Sequence, residues 1–131
     1  VVVKHRNHLP VMSKDSISLN ANSSLFDFTQ SQNQAYGSGQ KLLSTGNYSL
    51  YAGDVNANSI VSYSGASNDR QAVLASVGIF TPTNTINNQY QNTDGNLDRV
   101  VSYSGANNDR QLILSVIGIF TPTNTITSTI P

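Results

Sequence analysis

Apolar and polar residues alternate through parts of the first third of the chain, as they do in short β-strands with one buried face. This alternation, together with frequent Val, Ile, Tyr and Phe, predicts strands at residues 1–6, 16–20, 24–28 and 48–51. Residues 30–40 are rich in Gln, Ser, Asn and Gly, which favours a loop there. The first part of the chain is therefore predicted to be rich in β-structure.

In two later segments the apolar spacing follows the period of an α-helix, which predicts helices at about residues 69–77 and 109–117. The apolar faces consist of Val73, Leu74 and Val77 in the first helix and Ile113, Leu114 and Ile117 in the second. Gly78 and Gly118 stand where a left-handed residue ends a helix. Residues 67–68 and 107–108 offer Ser and Asn side chains that can cap the helix starts.

The two helical segments belong to an internal repeat. A shift of 40 residues aligns residues 54–86 with residues 94–126. The string VSYSGA occurs at residues 61–66 and 101–106, and GIFTPTNTI occurs at residues 78–86 and 118–126. Two copies are too few for a solenoid, so a paired unit is predicted.

Composition excludes several function classes. The formal net charge is zero and only 11% of residues are charged, which argues against nucleic acid and anionic membranes as partners. The chain has no cysteine, which excludes disulfides, Cys-based zinc sites and thiol catalysis. No run of about 18 apolar residues is present, so no membrane span is predicted.

The acidic residues point to a specific chemistry. All seven acids are Asp, and five of them fall within residues 54–69 and 94–109. A calcium loop of the EF-hand kind presents oxygen side chains at positions 1, 3 and 5, a main-chain carbonyl at position 7 and a late carboxylate at the start of the exit helix. The first loop offers, in that order, Asp54, Asn56, Asn58, Ile60 and Asp69. The second loop offers Asp94, Asn96, Asp98, Val100 and Asp109.

The two loops differ in charge and depart from the usual pattern. Three carboxylates in the second loop against two in the first predict that the second site binds Ca²⁺ more tightly. The closing acid comes four residues later than in an EF-hand, so residues 63–66 are interpreted as an excursion before the helix. Position 6, usually Gly because the turn requires a positive φ, is Ser59 in one loop and Arg99 in the other.

These residues resemble a known family. Gly-Asp-Val-Asn at residues 53–56 resembles the opening of type I dockerin repeats, in which a calcium loop precedes an exit helix. The fuller pattern, with VSYSGA and Asn-Asp-Arg at residues 68–70, is similar to repeat pairs near the C-terminal ends of large secreted or surface proteins of some Gram-negative bacteria. Lys-His-Arg-Asn-His-Leu at residues 4–9 resembles a segment that precedes such pairs. The resemblance implies calcium, export and a structural or adhesive setting.

The predicted fold is α+β, with a small β-rich segment at residues 1–52 followed by tandem dockerin-like repeats at residues 53–131. We expect the two loops to approach each other through Val61 and Val101, as paired EF-hands do. Val1-Val2-Val3 resembles the inside of a strand, so the chain is interpreted as a processed product or part of something longer.

Other interpretations of these residues stay open. Alternating Asp and Asn also favour ordinary turns, and the helix-starting aspartates could simply complement the helix dipole. His5 and His8, three apart on a strand, are expected on opposite faces, which argues against a shared metal ion. Asn22-Ser23-Ser24 and Asn47-Tyr48-Ser49 match the N-glycosylation sequon, interpreted as chance matches.

The sequence predicts a non-catalytic, calcium-stabilised extracellular structural module, with a bacterial surface fibre or matrix as its setting. The strand-like ends of the chain, Val1-Val2-Val3 and residues 125–130, are the expected sites of self-association. The alternative is a dockerin-like binding or anchoring module that docks to a cohesin-like protein receptor. No nucleophile–base constellation is visible, which argues against an enzyme.

Overall fold

A computed structural model describes residues 1–22 and 24–131 of the chain. Over this part the strands are β1 (Val2–His5), β2 (His8–Met12), β3 (Lys41–Leu42), β4 (Tyr48–Ser49), β5 (Ile60–Ser62), β6 (Thr85–Asn87), β7 (Val100–Ser102) and β8 (Thr125–Thr127). The helices are α1 (Asp69–Val77) and α2 (Asp109–Ile117), with short 3₁₀ segments at Gln32–Gln34 and Tyr36–Ser38. The fold is a small mixed α+β fold, as the sequence predicts.

The two α-helices begin and end where the sequence predicts. Asn68 and Asn108 cap them, each side-chain oxygen accepting a hydrogen bond from the main-chain N–H three residues later. Gly78 and Gly118 follow the last helical residues with φ of 106° and 112°, as a positive-φ stop requires. Their ψ values of 120° and 119° lie outside the left-handed helical region, so the chain is extended where it leaves each helix.

The strands of the described residues pair in four separate antiparallel ribbons of two strands each. β1 pairs with β2 and β3 with β4. The other two ribbons connect the repeats, because β5 of the first repeat pairs with β8 after α2, and β7 of the second repeat pairs with β6 after α1. Each repeat is therefore completed by the segment that follows the helix of the other repeat.

This exchange corrects the predicted pairing of the two loops through Val61 and Val101. Val61 lies opposite Ile126, and Val101 lies opposite Ile86. A serine hydroxyl of each repeat also hydrogen-bonds to the tail of the other repeat, at corresponding positions. Ser64 Oγ donates to the carbonyl of Pro122 at 2.9 Å, and Ser104 Oγ donates to the carbonyl of Pro82 at 2.9 Å. The tails after the helices, and not the loops, form the strand contacts between the repeats.

One apolar cluster holds these elements together. Val61 and Val101 both lie in it, at 0% and 1% exposure, although they are not strand partners. The cluster consists of Leu9, Val55, Val61, Val73, Val77, Val101, Ile113 and Ile117. Seven of its members come from the repeats and one, Leu9, comes from β2. Burial of this surface is the main source of stability for elements too short to be stable alone.

The N-terminal part differs from the strand prediction at several places. β1 and β4 fall inside two of the predicted strands, but residues 16–20 and 24–28 form no strand and those two predictions are wrong. β2 and β3 were not predicted, and the predicted loop at 30–40 contains both 3₁₀ segments. Ser23, in the middle of the Asn22-Ser23-Ser24 sequon match, lies outside the described residues.

β2 joins the N-terminal part to the repeats across the predicted boundary at residues 52/53. The N–H of Leu9 donates to the carbonyl of Tyr51 at 2.8 Å, and the N–H of Gly53 donates to the carbonyl of Asn7 at 3.0 Å. With Leu9 in the shared core, the first 52 residues are packed directly on the repeat pair. The division into two units stays a prediction.

Candidate metal centres

The first Asp/Asn loop curls around its own polar side chains. Asp54 Oδ1 accepts a hydrogen bond from the N–H of Asn58 at 2.9 Å, and Asp54 Oδ2 accepts one from the N–H of Ser59 at 3.1 Å. Asn56 Oδ1 accepts from the N–H of Asn58 at 3.1 Å, and Asn58 Oδ1 accepts from the N–H of Ile60 at 2.9 Å. The side chains at positions 1, 3 and 5 therefore hydrogen-bond to the loop's own main chain.

The second loop repeats this arrangement. Asp94 Oδ2 accepts from the N–H of Arg99 at 3.2 Å. Asn96 Oδ1 accepts from the N–H of Asp98 at 3.0 Å, and Asp98 Oδ1 accepts from the N–H of Val100 at 2.8 Å. Ile60 and Val100, the predicted carbonyl ligands, are the first residues of β5 and β7. The side chains at positions 3 and 5 therefore bond alike in both loops, whereas Asp54 Oδ1 accepts from the N–H of Asn58 and Asp94 Oδ1 has no such bond.

The backbone of both loops carries the predicted strain and more. Ser59 and Arg99, at position 6, have φ of 69° and 71°, which confirms the positive φ expected there. Position 4 also has positive φ, at 58° for Ala57 and 64° for Leu97, which the residue types did not indicate. Each non-glycine residue in this region costs about 1 kcal/mol. Four such residues require strong local hydrogen bonding or a ligand to hold them.

The helix-starting aspartates are buried and tie each loop to its helix. Asp69 is 0% exposed; its Oδ1 accepts from the N–H of Val55 at 2.9 Å and of Asn56 at 3.3 Å. Its Oδ2 accepts from the N–H of Ser62 in β5 at 2.8 Å. Asp69 thus joins the start of the loop, the strand and the helix, which exceeds the role of a surface charge on a helix dipole.

Asp109 makes the same connections in the second repeat. It is also 0% exposed, and its Oδ1 accepts from the N–H of Gly95 at 2.7 Å and of Asn96 at 3.3 Å. Its Oδ2 accepts from the N–H of Ser102 in β7 at 2.8 Å. The four-residue excursion before each helix therefore still delivers an aspartate to its loop.

Burial makes the negative charge of these carboxylates costly. It raises the pKa of Asp69 to about 6, and the neighbouring charge of Asp54 adds to the effect. Burial also raises the pKa values of Asp54 and Asp109, although main-chain N–H donors oppose it in both cases. A cation in each loop would offset this cost by compensating the buried negative charge.

Asp94 has an oxygen that the described protein atoms leave without a partner. The residue is 2% exposed, and Oδ1 is buried with no hydrogen bond. Arg6 Nη2 approaches the other oxygen, Oδ2, at 3.5 Å. Leaving a buried charged acceptor unsatisfied costs roughly 1–3 kcal/mol or more. In the first loop both carboxylate oxygens of Asp54 accept hydrogen bonds, so only the second loop has an unpartnered carboxylate oxygen at position 1.

The predicted calcium ligands do not form a cluster of acidic side chains. Over residues 1–22 and 24–131, no group of three or more His or Asp side chains comes together in a way that could hold a metal ion. A calcium site in either loop therefore depends on amide and carbonyl oxygens as well as carboxylates. This mixed oxygen set is the type that Ca²⁺ accepts.

The histidines are arranged differently from the sequence expectation. A tight turn at Arg6 and Asn7 makes His5 and His8 partners across the β1–β2 hairpin. Their Nδ1 atoms are 2.9 Å apart, so the expectation of opposite faces is wrong. A spacing of three places side chains on opposite faces only within one continuous strand, and here a two-residue turn folds the chain back between the histidines.

The fold and the loops define a small α+β protein with a duplicated loop–helix unit. Among the described residues, no helix has the length and apolar character needed to cross a membrane. No protein-family model, curated protein or solved structure matches the chain.

Proposed function

We propose that this protein is a non-catalytic, calcium-stabilised extracellular structural module of a bacterial cell surface, acting as a subunit of a fibre or matrix. Ca²⁺ would supply positive charge that compensates the buried aspartates and holds the two loops in their curled form. The proposal rests on the duplicated loops and on the neutral composition, in which Ser, Asn and Thr are the commonest polar residues. The observation that carries it is the unpartnered, buried Oδ1 of Asp94.

The ligands would be the side-chain oxygens at positions 1, 3 and 5, the carbonyl at position 7 and the helix-starting aspartate. In the first loop these are Asp54, Asn56, Asn58, Ile60 and Asp69, and in the second Asp94, Asn96, Asp98, Val100 and Asp109. The second loop has the third carboxylate and the unpartnered oxygen. Both features favour tighter binding at the second loop.

Calorimetric titration of the full chain with Ca²⁺ tests the proposal directly. We expect two unequal sites, with Asp98→Ala removing most of the affinity of the tighter one and Asp54→Ala affecting the weaker one. Asp15→Ala, which changes an exposed acid outside the loops, is the matched control and should leave both sites unchanged. Absence of any calcium heat in the parent protein, or equal losses in the two loop variants, would refute the proposal.

Self-association would proceed through β1. All four of its residues are exposed, and its only partner among the described strands is β2, so its outer edge is open. Val2 and Val3 are 42% and 40% exposed, which places apolar side chains at this edge. The C-terminal tail is a weaker candidate, because Thr125–Thr127 already pairs with β5.

Electron microscopy and sedimentation of the full chain with and without Ca²⁺ test the assembly. We expect assemblies that disappear in Val3→Lys, which places a charge on the open edge, while Lys14→Ala, an exposed residue after β2, leaves them unchanged. A protein that is monomeric at all concentrations would exclude the fibre or matrix role and leave calcium binding unaffected.

The second candidate is a dockerin-like binding or anchoring module with a cohesin-like partner. It is favoured by a matched pair of exposed aromatic residues, Phe80 and Phe120, which are 90% and 91% exposed at corresponding places of the two repeats. Two like contacts would let the module bind through either repeat. Phe80→Ser or Phe120→Ser alone would then leave one contact intact, the double variant would abolish binding of such a partner, and β1 edge variants would leave that binding unchanged.

A further inference from the structure

The turn of the β1–β2 hairpin brings three atoms with lone pairs together. His5 Nδ1 lies 2.9 Å from His8 Nδ1, and the two rings meet edge to face with centroids 4.5 Å apart. Asn7 Oδ1 lies 2.8 Å from the same His8 Nδ1. Both distances fall within hydrogen-bonding range, and the three side chains come from four consecutive residues.

The orientation of the Asn7 amide is fixed by its other contacts. Its Nδ2 donates to the carbonyl of Asn92 at 2.9 Å and to the carbonyl of Asp94 at 2.6 Å. Both partners are acceptors, so the nitrogen must face them and Oδ1 must face His8. Asn7 is 0% exposed, which holds the amide in place.

Too few protons are available for these three atoms. His8 Nδ1 has two neighbours within hydrogen-bonding distance, but a ring nitrogen bears at most one proton. A neutral ring carries one N–H. If His8 Nδ1 donates, two acceptors share one proton; if His8 Nδ1 accepts from His5, its lone pair faces the lone pairs of Asn7 Oδ1. Neither arrangement satisfies all three atoms.

We propose that His5 Nδ1, His8 Nδ1 and Asn7 Oδ1 bind a divalent transition-metal ion, Cu²⁺ or Ni²⁺, at the hairpin turn. Imidazole nitrogens bind such ions at about 2.0–2.1 Å. Two ligands at a right angle around the ion are then about 2.8–3.0 Å apart, against about 3.3–3.4 Å in a tetrahedral site. The Nδ1–Nδ1 distance of 2.9 Å is close to the separation of two ligands at a right angle, as in the tetragonal sites of Cu²⁺ and Ni²⁺.

The site shares no ligand with the calcium loops, although Asn7 Nδ2 donates to the carbonyl of Asp94 and Leu97 of the second loop lines the same cleft. His5 is exposed, and both histidines line an open cleft of about 520 Å³ whose walls include Leu43, Leu112 and Val116. Water molecules in this cleft can complete the coordination sphere. Lys4 also lines the cleft, and its charge opposes a cation there. The inference therefore does not rest on calcium binding.

Copper titration of the full chain at saturating Ca²⁺ tests the site. Calorimetry should give one Cu²⁺ per chain, and electron paramagnetic resonance should show hyperfine coupling to two imidazole nitrogens. His5 and His8 are the only histidines of the chain, so imidazole signals can arise only from them. His5→Ala, a change at an exposed position, should weaken Cu²⁺ binding at least tenfold, a loss on the order known for weakened metal sites.

Lys4→Ala is the matched control from the same strand. It should leave Cu²⁺ affinity unchanged or raise it, because it removes an opposing charge and no ligand. Thermal melts without metal should be alike for the parent, His5→Ala and Lys4→Ala, which separates ligand loss from misfolding. A spectrum with a single imidazole nitrogen, or unchanged affinity in His5→Ala, would show that the pair only shares a proton and would overturn the proposal.

Discussion

Leu112 covers the main chain of Gly95: a Cβ built on Gly95 would lie 3.0 Å from Leu112 Cδ2. The corresponding residues of the first repeat are Val55 and Ala72, which both contribute to the apolar cluster. In the first repeat the loop residue is large and the helix residue is small. In the second repeat the loop residue is small and the helix residue is large. The two copies thus differ in size at both positions while keeping the same helix bounds, which suggests that one change compensates the other.

This relationship predicts a coupled response to substitution. Gly95→Val places methyl groups against Leu112 and should lower the free energy of unfolding by about 1–3 kcal/mol. Leu112→Ala should also destabilise, because it leaves a gap above Gly95. The double variant copies the first repeat, and its loss should be smaller than the sum of the single losses by about 1 kcal/mol in urea unfolding. Strictly additive losses would show that the two residues do not share one space.

The sequence identified the repeats well because their signals are local. An Asn cap, a Gly stop and the apolar face of residues 73–77 all lie within one segment of chain, and α1 begins and ends as predicted. The positive φ at Ser59 also followed from its place in the loop. These features depend on neighbours in sequence and need no tertiary information.

The strand pairing could not be predicted in the same way. β5 pairs with β8, so Val61 finds Ile126 in a tail after the other helix. Local alternation indicates that a segment is suited to a strand but does not identify its partner. The same limit explains residues 16–20 and 24–28, which alternate but find no partner strand. The hairpin that joins His5 to His8 was missed because its two-residue turn, Arg6-Asn7, lacks the usual Gly.

The loops offer a reciprocal test of which carboxylate sets calcium affinity. Asn58 and Asp98 occupy the same position, and each Oδ1 accepts from the N–H two residues later, at 2.9 and 2.8 Å. Asn58→Asp should tighten the first site and Asp98→Asn should loosen the second, each on the order of tenfold, because ligand charge sets affinity. Both changes are isosteric, so calorimetry compares charge at constant shape.

The double variant is the strongest control for this pair. With Asn58→Asp and Asp98→Asn combined, the order of the two sites should reverse while the number of ions stays the same. Asp15→Asn, outside the loops, should change neither site. If the stronger site stays at the second loop in the double variant, position 5 does not determine the order, and the unpartnered oxygen of Asp94 becomes the deciding feature.

The helix-starting aspartate should be needed for folding even without metal. Asp69→Asn keeps the shape but replaces one acceptor oxygen by an NH₂ group. That group must face either the N–H of Val55 or the N–H of Ser62, both of which now donate to the carboxylate. Losing one buried bond should cost about 1–3 kcal/mol in metal-free urea unfolding. Asp15→Asn, at an exposed site, should change the free energy of unfolding by less than about 0.5 kcal/mol.

The pH dependence of stability should differ between the metal-free and calcium-loaded forms. Burial raises the pKa values of Asp54, Asp69 and Asp109, and that of Asp69 reaches about 6 from a usual 3.8. Between these two values the metal-free folded protein binds more protons than the unfolded chain, so these groups make stability fall as pH rises. His8 acts in the opposite direction, and its pKa, lowered from 6.5 to about 4, changes by about as much as that of Asp69.

Urea unfolding at pH 4 to 7 in calcium-free buffer should therefore show a smaller rise of stability toward pH 7 than unfolding at saturating Ca²⁺. The ion binds only the ionised carboxylates and binding stabilises the folded state, so Ca²⁺ adds stability as pH rises. Asp69→Asn removes the largest raised group, so its metal-free stability should rise more steeply with pH than that of the parent. A parent profile that is the same with and without Ca²⁺ would show that the buried aspartates and the ion do not share a site.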